Sequence, residues 1–98
     1  MDCSGLVYKA YREYLGWNTP RTTELQLKAG KQINPSELKT SDLIFFRPEN
    51  KGMHVGIYLD DNNGGRFLHA SSSKGVIISQ VRTGYWAPFL YQARRLNE

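Results

Sequence analysis

The sequence predicts an α+β fold, helices first and an antiparallel sheet after them. Two contrasts carry this expectation. Up to about Gly30 the apolar residues recur at helical spacing. Beyond Asp42 the chain breaks into short β-branched and aromatic runs divided by turn clusters. A third observation sets the scale: 98 residues suffice for one domain, spanning 1–98, with a single modest core.

Taken in order, Leu6, Val7, Ala10, Tyr11, Tyr14 and Leu15 mark one face of a first helix, with Arg12 and Glu13 on the other and Gly16 as its stop. Pro20 breaks the chain, Thr22 or Thr23 can cap, and a short second helix runs to Gly30. "KQINPSELKTSD" reads as a connection rich in turn residues. "DLIFFRP", "HVGIYLD", "RFLHAS" and "GVIISQV" read as strands separated by "ENKG", "DNNGG" and "SSKG". Such strands pair most simply with their sequence neighbours as a meander. "GYWAPFLYQARRL" begins as a turn or short helix, and its "LYQARRL" alternates as a last strand. There is no internal repeat, low-complexity tract or interdomain linker.

Composition narrows the function classes. A hydrophobic fraction of 40% and an aromatic fraction of 12% belong to a folded chain. The net charge of +4 is scattered, with Arg94-Arg95 the one adjacent basic pair, which speaks against nucleic acid as a partner. It suits an acidic substrate or polyanionic surface. A single cysteine excludes an intramolecular disulfide. No run of about 18 apolar residues exists to form a transmembrane helix, and no basic-then-apolar leader is visible. The oligomeric state is not legible.

The one thiol, Cys3, sits between an acid and Ser-Gly at the head of the first helix. The first N–H groups of a helix lack intrahelical acceptors and the dipole is positive there, so a thiolate is favoured. Asp2 opposes this slightly as a charge, or caps the helix. Ser4 and Gly5 leave little bulk beside the sulfur, so a carbonyl can approach and backbone N–H groups can meet its oxyanion. The plainer alternative is a small inert hydrophobe.

A thiol nucleophile needs a base, and the chain has two histidines, His54 and His69. Each lies in a predicted strand. If those strands are adjacent and antiparallel the imidazoles can lie side by side, one taking the thiol proton and the other orienting it. The plainer alternative is two half-buried histidines bonded to backbone. Zinc is a competing reading, with Asp42 or Asp60 as further ligands, but no two of these residues show tight ligand spacing. Ser4 and Arg21 are the candidate substrate contacts, Arg21 for a substrate carboxylate. Asp42 reads as structural at the head of a strand. Tyr8, Tyr11 and Tyr14 form a stripe that is partly core, and Trp17, Trp86 and Phe89 read as packing.

"DCSGLV" opening a helix, then "SDLIFF", "HVGIYL", "FLHASSSKGVIIS" and "YWAPFLYQARR", in that order over essentially the whole chain, resemble the NlpC-type cysteine peptidases of bacterial cell walls. The closest likeness is to the branch that includes enterobacterial envelope lipoproteins. The resemblance implies a papain-like core, a helix presenting the cysteine against an antiparallel sheet presenting the histidines. By motif, Cys3 matches the nucleophile, His54 the general base and His69 the third, orienting member. It implies hydrolysis of amide bonds in peptidoglycan stem or cross-link peptides, without a metal or other cofactor, in the cell envelope.

Two departures stand out. The family usually carries a tyrosine segment about a dozen residues before the cysteine, thought to help hold the oxyanion, whereas this sequence starts at Met1. The expectation is a truncated or weakened enzyme, with a non-catalytic peptidoglycan-binding domain as the alternative. Ser41 stands where the family often has glycine, with little functional consequence expected. Relatives that place histidine before cysteine and act on lipids are disfavoured by the order here. Amidases with an acid or amide as third member are disfavoured by "FLHAS".

Overall fold

The computed structural model describes residues 2–49, 52–60, 64–71 and 73–96. Parts of the three predicted turn clusters, at 50–51, 61–63 and 72, lie outside them.

Helix α1 (Cys3–Ala10) continues through a π-helical turn at Tyr11–Leu15. Asp2 starts it, its carboxylate accepting the Gly5 N–H at 2.7 Å. Gly16 ends it at φ 70°, a left-handed conformation that costs glycine little. Helix α2 (Thr23–Gln26) is one turn long, capped by Thr22 Oγ1 accepting from the Leu25 N–H at 3.2 Å.

The sheet contains β1 (Lys31–Ile33), β2 (Leu43–Phe46), β3 (His54–Leu59), β4 (Arg66–Ser71), β5 (Gly75–Gln80) and β6 (Leu90–Arg95). Its spatial order is β1-β6-β2-β3-β4-β5, and every described pairing is antiparallel. Strands β2 to β5 form the expected meander. β6 returns across the sheet to lie between β1 and β2. β1 lies inside the stretch read as a plain connection. Its three residues are too few to show an alternation, and they gain strand geometry from β6, with Lys31 opposite Arg95 and Ile33 opposite Ala93.

All four residues of β2 are buried, so both sheet faces are covered there. On one side Leu43 and Phe45 join Val7, Tyr11, Val55 and Ile57 beneath α1. On the other, Ile44 and Phe46 join Tyr58, Phe67 and Val81 beneath Trp86, Phe89 and Leu90 from the chain after β5. Each fully buried Leu, Ile or Phe contributes about 1.5–3 kcal/mol relative to exposure. Of the tyrosine stripe only Tyr11 is buried outright, while Tyr14 stands exposed.

Polar anchors hold the strand ends. Buried Asp42, just before β2, receives Arg95 Nε at 2.9 Å and Nη2 at 2.8 Å from β6, and accepts the Lys39 N–H at 2.8 Å. The adjoining Ser41 has φ 86°. Its carbonyl accepts the Tyr11 hydroxyl and its N–H donates to the Tyr58 carbonyl at 3.0 Å. Among the described residues, no helix is long and apolar enough to cross a membrane.

Candidate active site

The sulfur of Cys3 is half-buried at the very start of α1, 3.7 Å from Thr23 Oγ1. Asp2 acts as the cap: its carboxylate binds the Gly5 N–H and its carbonyl binds the Leu6 N–H at 3.0 Å. Among the described residues, the N–H groups of Cys3 and Ser4 have no partner, leaving two donors at the positive end of the helix beside the thiol.

His54 opens β3 and His69 lies late in β4, and these neighbouring antiparallel strands bring the rings together. His54 Nε2 is 2.8 Å from His69 Nδ1, and the ring planes are at 89°. Each imidazole is held on one aromatic face. His54 stacks on Trp86 at 4.6 Å between centroids and His69 on Phe67 at 4.2 Å. The second nitrogen of His69 is engaged too, with Nε2 2.7 Å from Ser79 Oγ of β5. The register makes this reachable: Ser79 pairs with Phe67 and Ile77 with His69, so Ser79 is the diagonal neighbour.

The pair needs a glycine beside it. A Cβ on Gly56 would lie 2.6 Å from Phe67 Cδ2, 2.7 Å from the Leu68 carbonyl oxygen and 3.2 Å from His69 Cβ. β4 could not then keep its place against β3.

Burial pushes the pKa of His54 down. His69, 1% exposed, is pushed down to about 4, by burial first and then by the neighbouring His54. Both rings are therefore neutral at neutral pH. With Nε2 facing His69, His54 keeps Nδ1 for another partner.

Cys3, His54 and His69 line one cleft of about 550 Å³, together with Asp2, Ser71, Lys74, Tyr85 and Trp86. A second hollow of about 590 Å³ between Gly16–Pro20 and Gly30 is lined by no titratable side chain. Of the expected substrate contacts, Ser4 is buried behind the helix start, where its carbonyl accepts from Gln26 Nε2 at 3.1 Å. Arg21 is not in the cleft lining; its guanidinium lies 4.4 Å over the Tyr8 ring and donates to that hydroxyl at 3.2 Å. That contact holds the Tyr8 phenol below its ordinary pKa. Asp42 is occupied by Arg95. Among the described residues no three His, Cys, Asp or Glu side chains are grouped to share a metal ion.

Sequence reasoning passed over Ser79 and read Trp86 as packing and Thr23 as a cap. Alternation along "GVIISQ" puts Ser79 on the face of Ile77, but without the β4–β5 register nothing connects it to His69.

The family model described as "NlpC/P60 family" matches residues 1–95. The murein DD-endopeptidase MepS/murein LD-carboxypeptidase of Escherichia coli K12 is 45% identical over 96 residues, covering 98% of this chain and 50% of that protein. The chain thus spans about half the length of that curated relative. The crystal structure of an NlpC/P60 family protein from Bacillus cereus superposes with a TM-score of 0.85 at 26% identity, over 100% of this chain and 32% of that one. RipD of Mycobacterium tuberculosis, described as a non-catalytic NlpC/P60 domain protein adapted to peptidoglycan binding, superposes with a TM-score of 0.74 at 30% identity, over 97% of this chain and 66% of its own. An N-terminal helix carrying the thiol, an antiparallel sheet carrying the paired histidines, and a family match over nearly every residue lead to one conclusion: the chain belongs to the NlpC/P60 family.

Proposed function

We propose that this chain is a cysteine endopeptidase domain that hydrolyses amide bonds in peptidoglycan stem or cross-link peptides in the bacterial envelope. The observation that carries the reading is the shared cleft. The only cysteine of the sequence meets its only two histidines there, the cysteine at a helix start whose first N–H groups are unpaired among the described residues and the histidines bonded to each other.

Cys3 Sγ gives its proton to His54 Nδ1 and attacks the amide carbonyl. The N–H groups of Cys3 and Ser4 face the developing oxyanion, so Ser4 acts through its backbone while its side chain stays buried. The His54 imidazolium then protonates the leaving amine, and the acyl group remains on sulfur. A water molecule, deprotonated by His54, hydrolyses the thioester and restores the thiol. His69 orients His54 throughout and accepts its Nε2–H. The net charge of +4 favours association with an acidic wall polymer. The name of the E. coli relative supports cross-link peptides as the substrate class.

The test is incubation of purified wild type, Cys3→Ala and His54→Ala proteins with defined muropeptides, products resolved by mass. The expected result is cleavage by wild type alone. Saturable binding without any product would replace this reading with a peptidoglycan-binding domain, the property ascribed to RipD.

A further inference from the structure

We infer that Ser79 is a positioning residue for this site, its hydroxyl accepting the Nε2–H of His69 and so fixing the tautomers of both histidines. The inference rests on the peptidase reading for its kinetic consequence, but its structural content does not.

Hydrogen-bond bookkeeping carries it. His54 Nε2 and His69 Nδ1 share one proton across 2.8 Å, and His69 Nε2 meets Ser79 Oγ at 2.7 Å. Two neutral arrangements close this chain. In the first, Ser79 accepts from His69 Nε2–H, His69 Nδ1 accepts from His54 Nε2–H, and His54 Nδ1 is bare. In the second every bond is reversed: the Ser79 hydroxyl donates, and His54 carries its proton on Nδ1. Only the first leaves a base for the thiol.

Charging His54 removes the choice. An imidazolium has a proton on both nitrogens, so His69 Nδ1 must accept, and the one proton of neutral His69 must sit on Nε2. That N–H is buried, because His69 is 1% exposed, and Ser79 Oγ is the acceptor it meets. Without that oxygen the N–H is left unpaired in the state the reaction passes through, a cost that such burial makes large. Ser79 itself is half-buried on β5. Asp2 and Lys74 are the charged side chains lining the same cleft, and neither bonds to His69 among the described residues.

The test compares wild type with Ser79→Ala, Ser79→Thr and Ser79→Val. Thr and Val have nearly the same shape and both suit a strand, so their difference isolates the hydroxyl. Nitrogen-15 NMR of the imidazoles at mildly alkaline pH reads the tautomers without substrate. The expected signature is Nε2–H on His69 in wild type and Ser79→Thr, moving toward Nδ1–H in the Ala and Val variants. On muropeptides the Ala and Val variants should lose about tenfold or more in kcat with KM nearly unchanged, and Thr should recover most of it. A wild-type His69 protonated on Nδ1, or an unchanged tautomer and kcat in Ser79→Val, would overturn the inference. Absence of turnover in every protein, wild type included, would remove the peptidase reading and leave the tautomer comparison to decide this one.

Discussion

Trp86 lies flat against His54, ring centroids 4.6 Å apart and planes at 14°. The indole also meets Phe46 at 5.3 Å and Phe67 at 5.9 Å, which ties His54 to the apolar cluster on its side of the sheet. An aromatic face attracts a cation, by about 0.5–2 kcal/mol. Trp86 therefore orients neutral His54, and its attraction for the imidazolium is opposed by the burial it imposes, the cause that holds the His54 pKa down. Trp86→Ala uncovers a face of His54 whose pKa burial holds down, so it should lower kcat several-fold and move the acid limb of the pH–rate profile to higher pH. Trp86→Phe should fall between Ala and wild type. The check is a full pH profile of kcat/KM for the three proteins.

The histidine pair also couples folding to pH. Both pKa values are lowered by burial, His69 to about 4 from 6.5. Below the unfolded value the unfolded chain binds more protons than the native one, so stability falls with falling pH. The loss begins as pH drops through about 6.5 and continues until the native His69 itself titrates near pH 4. Urea midpoints across that window should decline in wild type and less steeply in His69→Asn. Equal slopes would show that His69 is not the group responsible.

Arg95 and Asp42 form a two-pronged pair in which the carboxylate is 3% exposed. Removing only the cation leaves a buried charge, at a cost of about 3–5 kcal/mol. Arg95→Met should lower the urea midpoint accordingly, whereas Arg95→Met combined with Asp42→Asn should recover part of the loss. Additive losses in the double variant would refute the coupling.

Ser41 holds φ 86°, where a side chain costs about 1–2 kcal/mol and glycine almost nothing. Glycine gives back part of that gain through a freer unfolded chain. Ser41→Gly should therefore stabilise by up to about 1 kcal/mol without altering the cleft, because the contacts made here are through the Ser41 N–H and carbonyl. Thermal melting of the two proteins measures it.

Much of this architecture is legible in the sequence, for local reasons. The α1 periodicity, the Gly16 stop and the four runs from Leu43 to Gln80 are written in residues close to one another. The candidate site is legible because one thiol and two imidazoles are rare residues with few alternative roles. What escapes is whatever depends on distant partners. β1 is a strand only because residues 93–95 lie beside it. Ser79 matters only through a diagonal contact across β4 and β5. Arg21 reads as available for substrate because its stacking on Tyr8 links residues 13 apart in sequence. Ser41 could be noted as unusual from the family pattern, but its backbone angle could not.

The return of β6 has a consequence for how the chain is made. β2 is apolar on both faces, and its second edge is covered by residues 90–95, the last strand in sequence. A ribosome releases Leu43–Phe46 long before that partner exists. During synthesis the growing chain therefore carries a sticky, unpaired edge, and neither β1 nor the Asp42–Arg95 clasp can form until the last strand has emerged. Closure of this sheet is a long-range event, and the β2–β6 pairing is where a slow or mistaken step would trap the chain.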